Sequence, residues 1–128
     1  MIAVVPLVGA VSTSLVMLYS NLRTKKMELF YARRADAYKE LMINAGVFSR
    51  EPTNEQKYEE FLRSYNVAFM LASSDVALAL AGHDGLSVTA QRLRAAESEK
   101  ETLTLQTRDW YKTIGIVVDA MRTDLQKL

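Results

Sequence analysis

The residues that could do chemistry are few and scattered. His83 is the single histidine and sits in Ala81-Gly82-His83-Asp84-Gly85. An imidazole beside a carboxylate can hold a metal or move a proton. One histidine, however, excludes the paired Glu-x-x-His pattern of di-iron helical bundles. Flanked by glycines, His83 reads as a helix cap or surface residue. Ser73-Ser74-Asp75 supplies hydroxyls and an acid with no base, so it is not a triad. The chain has no cysteine, hence no thiol nucleophile, cysteine metal site or disulfide. A Gly-rich phosphate loop, a nucleophile elbow and a His-Glu-x-x-His helix are also missing from the sequence. No catalytic, cofactor-binding or metal-ligating residue is assigned, and the chain reads as a non-enzyme.

Asp75 is the one polar group that demands an explanation, because it is the only charged side chain between Arg63 and His83. Residues 64–82 could form a membrane span with a functional acid at its centre. An aspartate at the bilayer centre opposes insertion by about 2.5–3.5 kcal/mol, and Asn66, Ser73 and Ser74 add to that. The alternative is the most buried helix of a bundle. There an unpaired carboxylate is strongly unfavourable, so Asp75 is expected to pair with Arg33 or Arg34 of the first helix, or with Arg108 of the last.

The elements that must position these groups are helical. With 128 residues the chain holds one domain. Its 16 Lys+Arg and 15 Asp+Glu nearly cancel, and the scattered arginines are too few for nucleic acid. All charges follow Leu22, and the neutral run from Ile2 to Leu22 is long enough to span a bilayer. No Lys or Arg precedes it, which argues against a cleaved signal. Arg23, Lys25 and Lys26 follow it, so residues 1–22 read as a single-pass inner-membrane anchor with the N-terminus outside and residues 23–128 cytoplasmic. Gly9/Thr13 and Ala10/Ser14 are small-xxx-small pairs that would let another transmembrane helix approach.

Beyond the anchor, Met27, Tyr31, Ala35, Tyr38, Met42, Ala45 and Phe48 recur at steps of four and three. Tyr58, Leu62, Tyr65, Phe69, Ala72, Val76 and Ala79 do the same, and Leu103, Trp110, Ile114, Val117, Met121 and Leu125 form a third stripe. Pro52 separates the first two helices, and Thr53/Gln56 and Ser98/Glu101 match capping boxes. The expected fold is all-α: the transmembrane helix continues into an antiparallel three-helix bundle with coiled-coil-like seams, its helices at about 24–50, 54–81 and 99–127. The stretch around Leu86–Glu97 reads as a short helix or a loop. This layout would bring Arg92 and Arg94 to the lipid headgroups with Arg23, Lys25 and Lys26, and leave Glu51, Glu55, Glu59 and Glu60 at the far end.

The stretches "ELFYARRADAYKEL", "AFMLASSDVALAL" and "DAMRTDL" together resemble an uncharacterised group of small bacterial proteins with one N-terminal membrane helix and a helical cytoplasmic domain. The resemblance implies a fold and a placement, not an activity. In "DAMRTDL", Arg122 and Asp124 are candidate docking residues. Asp119 lies three residues before Arg122, whereas Asp124 could meet an arginine only through tertiary contacts. The expected function is a non-enzymatic interaction module, an accessory or scaffold subunit of a membrane complex. Its partners would be membrane lipids and another membrane protein or a second copy, with no cofactor and no nucleic acid. The competing expectation is a protein that self-assembles through the anchor into an oligomer that conducts ions or disrupts the membrane; proton flux lost on Asp75→Asn would favour it.

Overall fold

A computed structural model describes the backbone of residues 4–96 and 100–127 and the side chains of residues 14–96 and 103–127. The described chain is all-helical: α1 (Val4–Arg50), α2 (Glu55–Leu71), α3 (Ser74–Ala81), α4 (Leu86–Ala96) and α5 (Lys100–Gln126). α1 contributes to two compact units that divide between Ala32 and Arg33. Among the described residues no helix is long and apolar enough to cross a membrane.

In the second unit, Tyr38, Leu41, Ala45 and Phe48 turn one stripe of α1 into the core. α2 starts on Asn54, whose side-chain oxygen accepts from the Lys57 N–H at 3.1 Å. This satisfies one of the free N–H groups of a helix start. The cap is therefore Asn54 and not Thr53, because an Asx oxygen one position later already holds the N–H of the first turn. Ser98, of the second expected capping box, lies outside the described residues.

The expected single helix over 54–81 is interrupted. α2 ends at Leu71, Ser73 adopts an extended backbone, and its hydroxyl accepts from Val76 N–H at 3.4 Å to start α3. Asp75 then falls in the first turn of α3, where the helix dipole favours an acid. The break changes the buried face. Phe61, Ser64, Tyr65 and Ala68 are buried, while Phe69 is exposed. The apolar four-and-three seam through Tyr58, Leu62 and Phe69 is thus displaced by one position toward Phe61.

The passes are antiparallel. Arg34 meets Leu71 and Phe48 packs on Tyr58, so α2 returns along α1. Tyr65 donates to the carbonyl of Leu80 at 2.9 Å, which turns α3 back along α2. α4 continues in the direction of α3, since Arg94 in its last turn reaches Glu55 at the start of α2. α5 runs back again: Phe48 packs on Trp110 near its start, and Arg34 meets Asp124 near its end. The interrupted pair α3–α4 therefore adds a fourth pass to the expected three. Leu86–Ala96 is a helix that buries Leu86, Thr89, Ala90 and Leu93. At the Pro52 end the Phe48 and Phe61 rings stack at 5.1 Å, and Trp110 stands edge-on to them at 5.6 and 6.0 Å. All three are essentially inaccessible to solvent and supply the largest apolar burial in the core.

The glycines divide by what surrounds them. A Cβ on Gly82 would stand 2.5 Å from the Leu78 carbonyl oxygen, and one on Gly85 would stand 2.6 Å from that of Leu80. Both have negative φ, so close approach and not handedness selects glycine there. A Cβ on Gly46 or Gly115 would meet nothing within 4 Å beyond its own helix's backbone. Gly85→Ala should lose about 1–3 kcal/mol through forced backbone movement, whereas Gly46→Ala and Gly115→Ala should each gain about 0.5–1 kcal/mol of helix stability. Urea unfolding followed by the fluorescence of Trp110, the single tryptophan, measures all three; a Gly85→Ala protein as stable as the parent would refute the steric account.

Candidate functional site

A buried carboxylate organises one end of the bundle. Arg34 Nη1 lies 3.3 Å from both oxygens of Asp124, and the Tyr38 hydroxyl donates to the same carboxylate at 2.8 Å. The side chains of Arg34 and Asp124 are only 13% and 7% exposed, so water screens the pair weakly. Arg34 Nε donates to the Leu71 carbonyl at 2.6 Å, satisfying one of the free carbonyls at the end of α2. The Tyr38 oxygen also accepts from Ser73 N–H at 3.3 Å. One network thereby joins α1, the α2–α3 break and α5. Burial, then the hydrogen bond to Asp124, push the Tyr38 phenol up to about 12. Tyr38 is a proton donor locked in place between Asp124 and the Ser73 N–H.

The ion pair is not the one expected for Asp75. Asp75 is 77% exposed and has Lys127 at 3.8 Å, while Arg33 and Arg108 are exposed. The reason is the break at Ser73: as a first-turn residue of α3, Asp75 points out of the core. Arg34 does hold a buried aspartate, but it is Asp124, a docking candidate in the sequence that could meet an arginine only through tertiary contacts. Residues 64–82, weighed as one span centred on Asp75, instead divide between the antiparallel helices α2 and α3.

The headgroup assignments divide as well. Arg23, Lys25 and Lys26 are exposed on α1. Arg94 instead binds Glu55 at 3.1 Å and lies 3.9 Å over the Tyr58 ring, a cation–π arrangement at the Pro52 end. It therefore shares an end with the acidic residues it was expected to oppose, because α4 carries it back along the bundle. Arg92 meets Asp84 at 3.5 Å. Of the anchor-packing residues, Ser14 is exposed, and the side chains of Gly9, Ala10 and Thr13 lie outside the described residues.

Two concavities accompany these groups. A cleft of about 310 Å³ between α4 and α5 is lined by Asp84, Arg92, Asp109 and Lys112 over a buried Thr89–Thr113 hydroxyl pair 3.3 Å apart. Its charges balance, so it selects neither sign of ligand. A groove of about 400 Å³ between α1 and α5 is different: Met42, Val118, Met121 and Leu125 make an apolar floor, and Lys39 and Arg122 stand on opposite walls. The sequence showed Met42, Met121 and Leu125 only as core stripes; that they line a surface opening depends on the spacing of two helices distant in the chain. Arg122 is exposed beside this groove, while Asp124, two residues on, is buried beneath the bundle surface.

The chain matches no protein-family model, no curated protein and no solved structure.

Replacing Asp124 with Asn removes the charge but not the shape, and leaves Arg34 half-buried without its ion. Stability should fall by about 3 kcal/mol, while Asp75→Asn should leave it unchanged. Trp110-detected urea unfolding compares the two, and equal effects would refute the assignment of the buried pair. The raised Tyr38 pKa favours the native state most below pH 10, where the phenol is neutral in both states. That contribution should disappear as pH rises from 10 to about 12. The parent should therefore lose more stability than Tyr38→Phe across this window, as measured by unfolding at stepped pH. Parallel curves for the two proteins would contradict it.

Proposed function

We propose that the chain is a membrane-anchored, non-enzymatic interaction module, an accessory or scaffold subunit of a membrane complex. The observation that carries the reading is the surface of α1 before the bundle. Leu15, Val16, Met17, Leu18, Tyr19 and Leu22 are each more than half exposed on one continuous helix. Apolar residues on every side of a helix are stable in lipid or against other apolar helices, not in water. In the sequence the neutral run begins at Ile2, ahead of these side chains, and exposed Arg23, Lys25 and Lys26 follow it. This order favours an N-terminus outside and a cytoplasmic bundle. The apolar groove with Arg122 on its wall offers a second surface for contact. The resemblance to small bacterial proteins with one membrane helix supports the same reading.

The test uses the whole chain expressed in bacterial cells. It should pellet with membranes and resist carbonate extraction, and Leu15→Arg together with Leu18→Arg should release it, since each arginine opposes insertion by about 2.5–3.5 kcal/mol. Gentle detergent extraction from the native membranes should then bring down a distinct membrane protein at fixed ratio. Carbonate-soluble parent protein would overturn the anchor, and a chain isolated only with copies of itself would overturn the accessory role.

A further inference from the structure

Lys39 on α1 and Arg122 on α5 both line the α1–α5 groove, and among the described residues neither is held in an ion pair. Seven residues farther along α1 is Gly46, and seven residues back along α5 is Gly115. Seven residues are about two helical turns, or roughly 10 Å, so each glycine shares the helix face of its cation. The helices are antiparallel, with Arg34 facing Asp124 and Phe48 facing Trp110. By that register the two glycines lie within about three residues of one level, roughly 5 Å, nearer the Pro52 turn. Both are exposed in helix interiors, and a Cβ at either would meet nothing within 4 Å beyond its own helix's backbone. Among the described residues nothing requires glycine at either position, and both continue the helix faces of Lys39 and Arg122 just past Met42 and Val118, where the lining of the groove ends.

On the reading that this protein works by contact, we propose that the groove receives one amphipathic helix of a partner protein, with carboxylates in the C-terminal turn of that helix lying between Lys39 and Arg122. Its apolar stripe would cover Met42 and Val118, and its backbone would approach closely over Gly46 and Gly115. The negative end of its dipole would add to the attraction of the two cations. A second copy of this chain does not fit: α1 and α4 end in Arg50 and Arg94, α2 and α3 have no charge in their last turns, and Asp124 near the end of α5 is buried. A lipid acyl chain would use the floor and the cations but would gain nothing from paired glycines.

The probe is a fluorescent 15-residue amphipathic peptide with a Leu/Ala face and two glutamates in its last turn, compared with a twin carrying two lysines there. The full chain is kept in solution by an uncharged amphipathic polymer, and binding is read by anisotropy. The glutamate peptide should bind at least tenfold more tightly, and Lys39→Glu with Arg122→Glu should invert the preference. Gly46→Leu and Gly115→Leu should each weaken binding about tenfold while the thermal midpoint holds or rises, which separates a binding role from a structural one. Equal affinity for the two peptides, or binding unaffected by the leucines, would overturn the proposal. So would loss of binding to anionic vesicles in the charge-reversed protein with no peptide preference in the parent, which would make the groove a lipid site. A native partner that still co-isolates with the charge-reversed protein would leave the interaction reading standing and exclude this groove as its seat.

Discussion

Asp124 can be buried as an ion only if a cation and a full set of donors are buried with it, and this requirement fixes how one end of the bundle closes. Arg34 supplies the cation and Tyr38 the shortest hydrogen bond. Neither partner is spent on the carboxylate alone. Arg34 also satisfies the Leu71 carbonyl, and the Tyr38 oxygen takes the Ser73 N–H. The backbone groups freed where α2 stops and α3 begins are therefore satisfied by the same side chains that hold α5 against α1. A break in a helix and a buried charge, each unfavourable alone, satisfy one another.

The opposite end is held differently. Phe48, Phe61 and Trp110 join α1, α2 and α5 by shape and apolar burial, with no polar atom required at their centre. Arg94 closes this end by lying on the Tyr58 ring while reaching Glu55. A bundle clamped by a charge network below and an aromatic cluster above has a defined register along its length. A defined register is what an interaction surface made from two non-adjacent helices needs. Lys39 faces Arg122 across the groove only because Arg34 faces Asp124 beneath it.

The contrast between the two units of the chain bears on function. From Arg33 onward the large apolar side chains find one another, whereas from Leu15 to Leu22 they are presented outward. A bundle with a closed core and an outward-facing apolar helix has two kinds of surface.

The sequence by itself determined the all-helical class and much of the core. The stripes through Tyr38, Ala45 and Phe48, and through Trp110, Val117 and Met121, are buried as their spacing requires, because a 3.6-residue period is a local property of the chain. Tyr38 and Tyr65, on the first and second stripes, are buried, and their hydroxyls find partners. The break at Ser73 was local too, but hidden: an uninterrupted apolar rhythm hid an N-cap serine followed by a first-turn aspartate. From that one break came the misplacement of Asp75, the missing fourth pass and the wrong end for Arg94. Only the tertiary structure decided which acid is buried. Arg34 and Asp124 are 90 positions apart, and no periodicity couples residues at that distance. The groove between Lys39 and Arg122 belongs to the same category, since its shape is a property of how two helices are spaced and not of either helix alone.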